Sequence, residues 1–370
     1  MIKYTHHRRE SSLDRSHRRR LNVRMGSISS LPPLPAQPKD TPWPTQTWPI
    51  GDVPNGTDRQ TLDRLIDTAF TDLDTLGQTH AFIAIQSGEI VKERYAEGYG
   101  ADDTYHSWSM AKSMTHALVS LAVEQGALSL DAPVKVPEWQ DPDDPRASIT
   151  LDQLLRMSSG LQFTEDYENS GISHTIEMLF GSGSDDVAHF AANLPLEHKP
   201  GTFWSYSSGT TNIICRLLAE TLNPDRDGFE AFMRDKLLAP IGMSSAQPKF
   251  DAAGTFLGSS FCFCTARDFA RFGLLYMRGG LWDGVQVLPK AWIDQARTPT
   301  PNVPDDEPMG YGAYWWLNMA GPGSFSANGY DGQYIVLVPE KDLILVRHGA
   351  SEAHKDNVRA WLADVAACFK

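Results

Sequence analysis

From Thr104 to Gln125 the chain reads TYHSWSMAKSMTHALVSLAVEQ. A polar and aromatic approach ends at Ser109. Beyond it Met110, Met114, Ala117, Leu118, Leu121 and Ala122 recur at spacings of three and four, the period of an α-helix. A helix this apolar is expected to lie inside the protein. Ser109 and Lys112 are three residues apart and so share one face of its first turn. Burial or neighbouring positive charge favours a neutral amine, which makes Lys112 a candidate base for the Ser109 proton. The free N–H groups at the helix start can face a developing oxyanion. The competing reading is a first-turn serine beside a solvated lysine; the apolar helix opposes it, because it buries Lys112. Ser113 is out of register with Lys112 and has no such partner.

The segments before this helix read as an extended arm followed by strands. Pro32, Pro33, Pro35, Pro38, Pro42, Pro44 and Pro49 exclude regular helix from residues 1–56, and Trp43 and Trp48 are expected to pin that arm to the body. Thr61 to Phe70 reads as an amphipathic helix with Leu62, Leu65, Ile66 and Phe70 inward. Ala81–Ile85 and Glu89–Ala96 read as a hairpin turning at Ser87-Gly88, and Gly126 ends the central helix.

After Ala132 the texture changes to short helices and turns. Thr150 and Gln153 have the spacing of a capping box, and Ile176–Phe180 and Val187–Leu194 are further helical pieces. Thr210–Leu222, Gly228–Leu238, Thr265–Tyr276 and Lys290–Arg297 follow as helices, and Phe256–Cys264 as a strand. Met309–Trp316, Ser324–Ala327, Tyr334–Val338 and Leu343–His348 are strand patterns, and Lys355–Cys368 is a closing helix. The expected fold class is α/β plus a helical insertion, with one antiparallel sheet flanked by helices uniting both ends of the chain. The expected division is an arm at 1–56, an α/β domain from 57–131 and 201–370, and a mostly helical insertion at 132–200.

The 370 residues carry a net charge of −13, which disfavours nucleic acid and anionic membrane as partners. No apolar run approaches the roughly 20 residues a membrane span needs. The basic start, with Arg8, Arg9, Arg18, Arg19 and Arg20, is followed by no apolar h-region, so a cytoplasmic location is expected and Met25 offers an alternative start. The four cysteines are too few for a disulfide scaffold; Cys215 reads as core, and Cys262-x-Cys264 as one strand face rather than a zinc clamp.

Tyr206-Ser207-Ser208 places a phenol at a loop-to-helix junction, where it can relay a proton to a leaving group or simply wedge a domain seam. Together these motifs resemble the serine beta-lactamase and penicillin-binding-protein superfamily. Ser109-Met110-Ala111-Lys112 is similar to its S-x-x-K motif, and Tyr206-Ser207-Ser208 to the Y-x-N/S motif of its class C branch. LLRMSSGL (154–161) resembles the LLxHTSGL segment of that branch, and Thr265–Gly273 its helix after the cysteine-bearing strand. The likeness spans about residues 58–368. The third motif departs: where the branch carries K-T-G on an edge strand, this chain has Ala327-Asn328-Gly329, followed by Tyr330. Loss of the lysine removes the cation expected to bind a penicillin or peptide carboxylate. The resemblance then points to relatives acting as carboxylesterases or as hydrolases of small linear amides, the 6-aminohexanoate-dimer hydrolases among them. Thr164-Glu165-Asp166-Tyr167 is similar to the stretch of the latter in which a tyrosine closes over the substrate amide, or else Tyr167 is an interface aromatic.

The resemblance implies a serine hydrolase acting on a small ester or linear amide. Ser109 is the nucleophile, Lys112 and Tyr206 the base and acid, and Ser208 steadies Lys112. The N–H groups of Ser109 and Tyr330 form the oxyanion hole, and Tyr167 serves the leaving group. It implies no cofactor and no metal, and a small ester or amide molecule as the partner; a homodimer is the assembly considered. The alternatives are a beta-lactamase or D-Ala-D-Ala carboxypeptidase, and a non-catalytic binding protein on the same fold.

Overall fold

The computed structural model describes residues 31–167, 173–222 and 226–370. The arginine cluster at residues 8–20 and Met25 lie outside them. In chain order, α1 (Arg59–Thr71) and α2 (Leu73–Leu76) precede the hairpin of β1 (Gln78–Gln86) and β2 (Glu89–Tyr95). β3 (Thr104–His106) leads into α3 (Met110–Glu124). α4 (Leu151–Leu155), α5 (His174–Phe180), α6 (Val187–Ala192), α7 (Ser208–Leu222) and α8 (Arg226–Met233) follow. Then come β4 (Gln247–Pro248), β5 (Cys262–Thr265), α9 (Ala266–Met277), the small hairpin β6 (Leu281–Trp282) and β7 (Val285–Gln286), and α10 (Lys290–Arg297). The chain closes with β8 (Gly310–Tyr311), β9 (Trp316–Leu317), β10 (Phe325–Gly329), β11 (Gln333–Val338), β12 (Leu343–Ala350) and α11 (Lys355–Cys368). No helix among the described residues is long and apolar enough to cross a membrane.

The main sheet has seven antiparallel strands in the order β2-β1-β12-β11-β10-β9-β8, so the first hairpin and the last strands share one sheet. Strand alternation splits the buried side chains between its two faces. Phe82, Ala84, Val336 and Leu345 point to one face, where α1 and α11 cover them with Leu62, Ile66, Trp361 and Val365. Ala81, Ile83, Ile335 and Ile344 point to the other, which packs on α3 and α9 through Met110, Met114, Phe269 and Phe272. The same apolar cluster continues through α3 into Leu154, Met178, Val187, Ile213 and Leu217 of the helical region. Helix α3 is therefore covered on both sides, as its apolar sequence requires, and Lys112 is 1% exposed. Local signals set several element ends: Ser87 and Gly88 turn the first hairpin at φ 53° and 81°, Thr150 and Gln153 form both halves of a capping box, and the Thr265 hydroxyl caps α9.

The arm is held by its aromatic rings and by buried arginines. Trp48 is 3% exposed and its indole N–H donates to the Arg267 carbonyl at 3.1 Å, while Trp43 packs on Trp282. The Arg271 guanidinium donates to the Pro44 carbonyl at 2.7 Å. A proline-rich segment has carbonyls that lack in-segment donors, and these side chains supply some of them.

Two strand expectations are corrected. Phe256–Cys264 is a strand only from Cys262, because Ser260 and Phe261 N–H groups both turn back to the Leu257 carbonyl, at 2.9 and 2.8 Å. Met309–Trp316 is broken into β8 and β9 by a tight turn in which the Gly312 N–H reaches the Trp315 carbonyl at 2.8 Å. One consequence is that β10, which carries Ala327-Asn328-Gly329, lies between β11 and β9 rather than at the sheet edge.

Candidate active site

The start of α3 is fixed by the strand before it. The Ser107 N–H donates to the Cys262 carbonyl, and its hydroxyl donates to the Ser260 carbonyl at 3.0 Å, which ties the turn to β5. Trp108 then adopts φ 43°, a left-handed conformation that a bulky side chain avoids unless its surroundings impose it. Its ring lies 4.0 Å from His106 and 5.4 Å from Tyr330. Ser109 follows at the N-cap position and Lys112 one turn later. The N–H groups of Met110, Ala111 and Lys112 bond to carbonyls three residues back, so the first turn is tight and Ser109 and Lys112 are drawn together.

Lys112 Nζ lies 3.0 Å from Ser109 Oγ, 2.9 Å from Ser208 Oγ and 3.0 Å from the Ser259 carbonyl. The Ser259 carbonyl is presented by the same turn that cuts short the expected strand. Burial pushes the Lys112 ammonium down to about 8, against an upward pull from the Glu165 carboxylate. Such an amine is partly neutral near neutral pH and can accept the Ser109 proton over the 3.0 Å contact. The Tyr206 ring sits 4.8 Å from Lys112 Nζ. Its phenol is raised above its ordinary range by burial and by Glu165, while a hydrogen bond with Ser109 pulls it back. Tyr206 is placed there by the LLRMSSGL segment: Met157, at φ 56°, takes the Ser205 N–H on its carbonyl at 2.8 Å.

Glu165 carries no assignment in the sequence reading, yet it joins the groups. Its Oε1 accepts from the Ser208 hydroxyl at 2.7 Å and from the Tyr167 phenol at 2.5 Å, and its Oε2 accepts from the Ser208 N–H at 2.7 Å. The last bond satisfies a free donor at the start of α7. A continuous hydrogen-bonded chain thus runs Ser109–Lys112–Ser208–Glu165–Tyr167. The signal in the sequence was an acid two residues before a candidate phenol; nothing local says that it meets Ser208.

The end of β10 completes the cluster. A Cβ on Gly329 would lie 2.5 Å from the Ser107 carbonyl, so only glycine lets the strand approach the turn before Ser109 this closely. This approach sets Tyr330 beside Trp108 and Tyr167, the latter with ring centroids 4.8 Å apart. Ala327, in the place of the third-motif lysine, is 1% exposed and faces the core. Ser113 is turned away and donates to the Tyr314 carbonyl at 2.7 Å. Cys262 and Cys264 share a buried strand face with Sγ atoms 3.8 Å apart. Ser109, Lys112, Tyr206, Ser208, Tyr167 and Tyr330 are therefore brought to one place, together with Glu165 and the Ser259 carbonyl.

A family model described as Beta-lactamase matches residues 66–367 of the chain. The chain belongs to the beta-lactamase family. Within the curated proteins this beta-lactamase family member is similar to the 6-aminohexanoate-dimer hydrolase of Paenarthrobacter ureafaciens, 25% identical over 73% of this chain and 72% of that one. Among solved structures it resembles a Bacillus anthracis protein provisionally assigned as a 6-aminohexanoate-dimer hydrolase, with a TM-score of 0.72 at 19% identity over 91% of this chain and 89% of that one. It also resembles a family VIII carboxylesterase, with a TM-score of 0.65 at 14% identity over 86% of this chain and 99% of that one. The structural likenesses show the beta-lactamase/transpeptidase-like fold, and the family match places the protein in the serine hydrolase superfamily.

Proposed function

We propose that this protein hydrolyses a small, uncharged ester or linear amide through an acyl-enzyme on Ser109. The observation that carries the reading is the 3.0 Å contact between Ser109 Oγ and a buried lysine amine lowered to about 8, with the Tyr206 phenol at the same serine. Ser109 Oγ attacks the carbonyl carbon and Lys112 takes its proton. Tyr206 passes a proton to the departing oxygen or nitrogen, and water then cleaves the acyl-enzyme by the reverse relay. The N–H groups of Ser109 and Tyr330 are the proposed oxyanion donors, and the Ser107–Gly329 approach supports that pairing. Ser208 steadies Lys112, and Tyr167 faces the leaving group. Ala327 in place of a lysine disfavours substrates bound through a carboxylate, such as penicillins and peptide C-termini. The names of the relatives support both bond types, an amide from the dimer hydrolase and an ester from the carboxylesterase.

The test is labelling with a fluorophosphonate activity probe followed by mass mapping. The adduct is expected on Ser109, absent in S109A and strongly slowed in K112A. An adduct elsewhere, or none on a preparation that still hydrolyses esters, refutes the assignment. Nitrocefin turnover comparable to that of a good ester substrate would move the reading to a beta-lactamase.

A further inference from the structure

The rings beside Ser109 form a line rather than a scattered set. Tyr167 contacts Tyr330 at 4.8 Å between centroids, Tyr330 contacts Trp108 at 5.4 Å, Trp108 contacts Phe261 at 5.9 Å, and Phe261 contacts Phe180 at 5.9 Å. They come from five separate stretches of chain, so the line is a product of the fold. Core packing accounts for only part of it, since Phe261 rests against the main apolar cluster. Phe180 is 58% exposed, and Trp108, Tyr167, Phe261 and Tyr330 are all only partly covered. An exposed phenylalanine that continues a line of partly exposed rings makes a contiguous apolar patch, the kind of surface that marks a ligand-binding groove. The strained backbone at Trp108 points the same way, since φ 43° is held at the residue that touches both Phe261 and Tyr330. His106 stacks under Trp108 and Phe261 at 4.0 and 4.9 Å, and burial pushes its imidazole down to about 4, so it adds no cation to the wall at neutral pH.

The two ends of the line differ in chemistry. At the Tyr167 end lie Glu165, Ser208 and Tyr206, the groups able to hold and move a proton. A leaving oxygen or nitrogen needs that end. The stretch from Trp108 through Phe261 to Phe180 is left for the other half of the substrate, which is the acyl group. We propose that Trp108, Phe261 and Phe180 form an acyl-binding wall, and that the preferred substrate carries an aryl or arylalkyl acyl group. The proposal rests on Ser109 acting as the nucleophile. Rings meeting a substrate ring edge-on or offset favour it over an alkyl chain of similar area, beyond what burial alone supplies.

The experiment compares 2-phenylethylboronic acid with n-hexylboronic acid, which add reversibly to a serine oxygen and present their organic group as the acyl group. Affinity is measured by calorimetry on the full chain, and the tetrahedral adduct by boron NMR, for the wild type, S109A, F180A and F261L. The wild type is expected to bind the phenylethyl compound about tenfold more tightly, from one to two ring contacts. That ratio is expected to fall below about threefold in F180A and F261L, as those ring contacts are lost. The ratio is the readout, so a general loss of affinity does not mimic the result. Equal affinities in the wild type with the tetrahedral signal present overturn the aryl preference alone. A ratio retained in both variants does the same for the wall. If neither compound gives a tetrahedral signal that S109A abolishes, the hydrolase reading fails and this proposal falls with it.

Discussion

Replacing Glu165 with glutamine tests how the proposed lysine base is set. With its ammonium lowered to about 8, Lys112 is neutral in about one molecule in ten at pH 7, whereas at an ordinary value near 10.5 it would be so in about one in 3,000. Burial is the larger cause of the shift, and the Glu165 carboxylate opposes it by favouring the charged form. That carboxylate is one hydroxyl away, since Ser208 Oγ lies 2.9 Å from Nζ and 2.7 Å from Oε1. At a separation of roughly 5 Å and an effective dielectric constant near 20, the charge is worth about 3 kcal/mol at most, equivalent to roughly two pH units. E165Q removes the charge and keeps the shape. The sign follows directly: without the anion the amine releases its proton more easily, so a larger fraction is neutral at low pH. The acid limb of log kcat/KM against pH is expected to move down from about 8 by about one to two units. The plateau is expected to fall about tenfold, because an amide cannot accept from the Tyr167 phenol and both Ser208 donors as the carboxylate does. The assay is kcat/KM for an activated ester from pH 5 to 9.5, with circular dichroism confirming the fold. A limb that stays in place or moves upward would refute Glu165 as the counter-charge of the base.

Y167F is expected to lower kcat/KM for an amide at least about tenfold more than for the ester with the same acyl group, since an amine leaves poorly without a proton; equal losses return Tyr167 to packing. Y206F is expected to depress both. G329A puts a methyl group 2.5 Å from the Ser107 carbonyl, so the turn before Ser109 must shift; a kcat loss of about a hundredfold is expected, and wild-type kcat would remove this approach from the mechanism. Arg347 is fully buried and donates to the Gly332 and Gln78 carbonyls at 2.7 and 3.0 Å and to the Ser351 hydroxyl at 2.7 Å. R347M removes the guanidinium from all three acceptors and leaves the Gln78 carbonyl only the Ser351 hydroxyl at 3.3 Å, so it should cost about 3 kcal/mol in urea unfolding; a loss below about 1 kcal/mol would show that water replaces the guanidinium.

The features legible in the sequence are those carried by neighbouring residues. Three-residue spacing on a helix puts Ser109 and Lys112 on one face whatever surrounds them. Thr150 with Gln153, Ser87 with Gly88, and the alternation of β1, β11 and β12 act over a few residues, so the helix starts, the hairpin and the individual strands follow from local chemistry, while the pairing of β1 with β12 joins distant chain. The departures lie where distant chain decides. Phe256–Phe261 has the composition of a strand, but the structure turns it to deliver the Ser259 and Ser260 carbonyls to Lys112 and Ser107. The bond from Ser208 to Glu165 spans 43 positions, and no periodicity encodes it. Gly329 gives no local sign of its purpose, which is set by a carbonyl on the far side of the chain. The proposed nucleophile and its nearby amine are thus written in one turn of helix. The amine's charge, its counter-ion and the wall of rings depend on burial and packing, which only the folded chain creates.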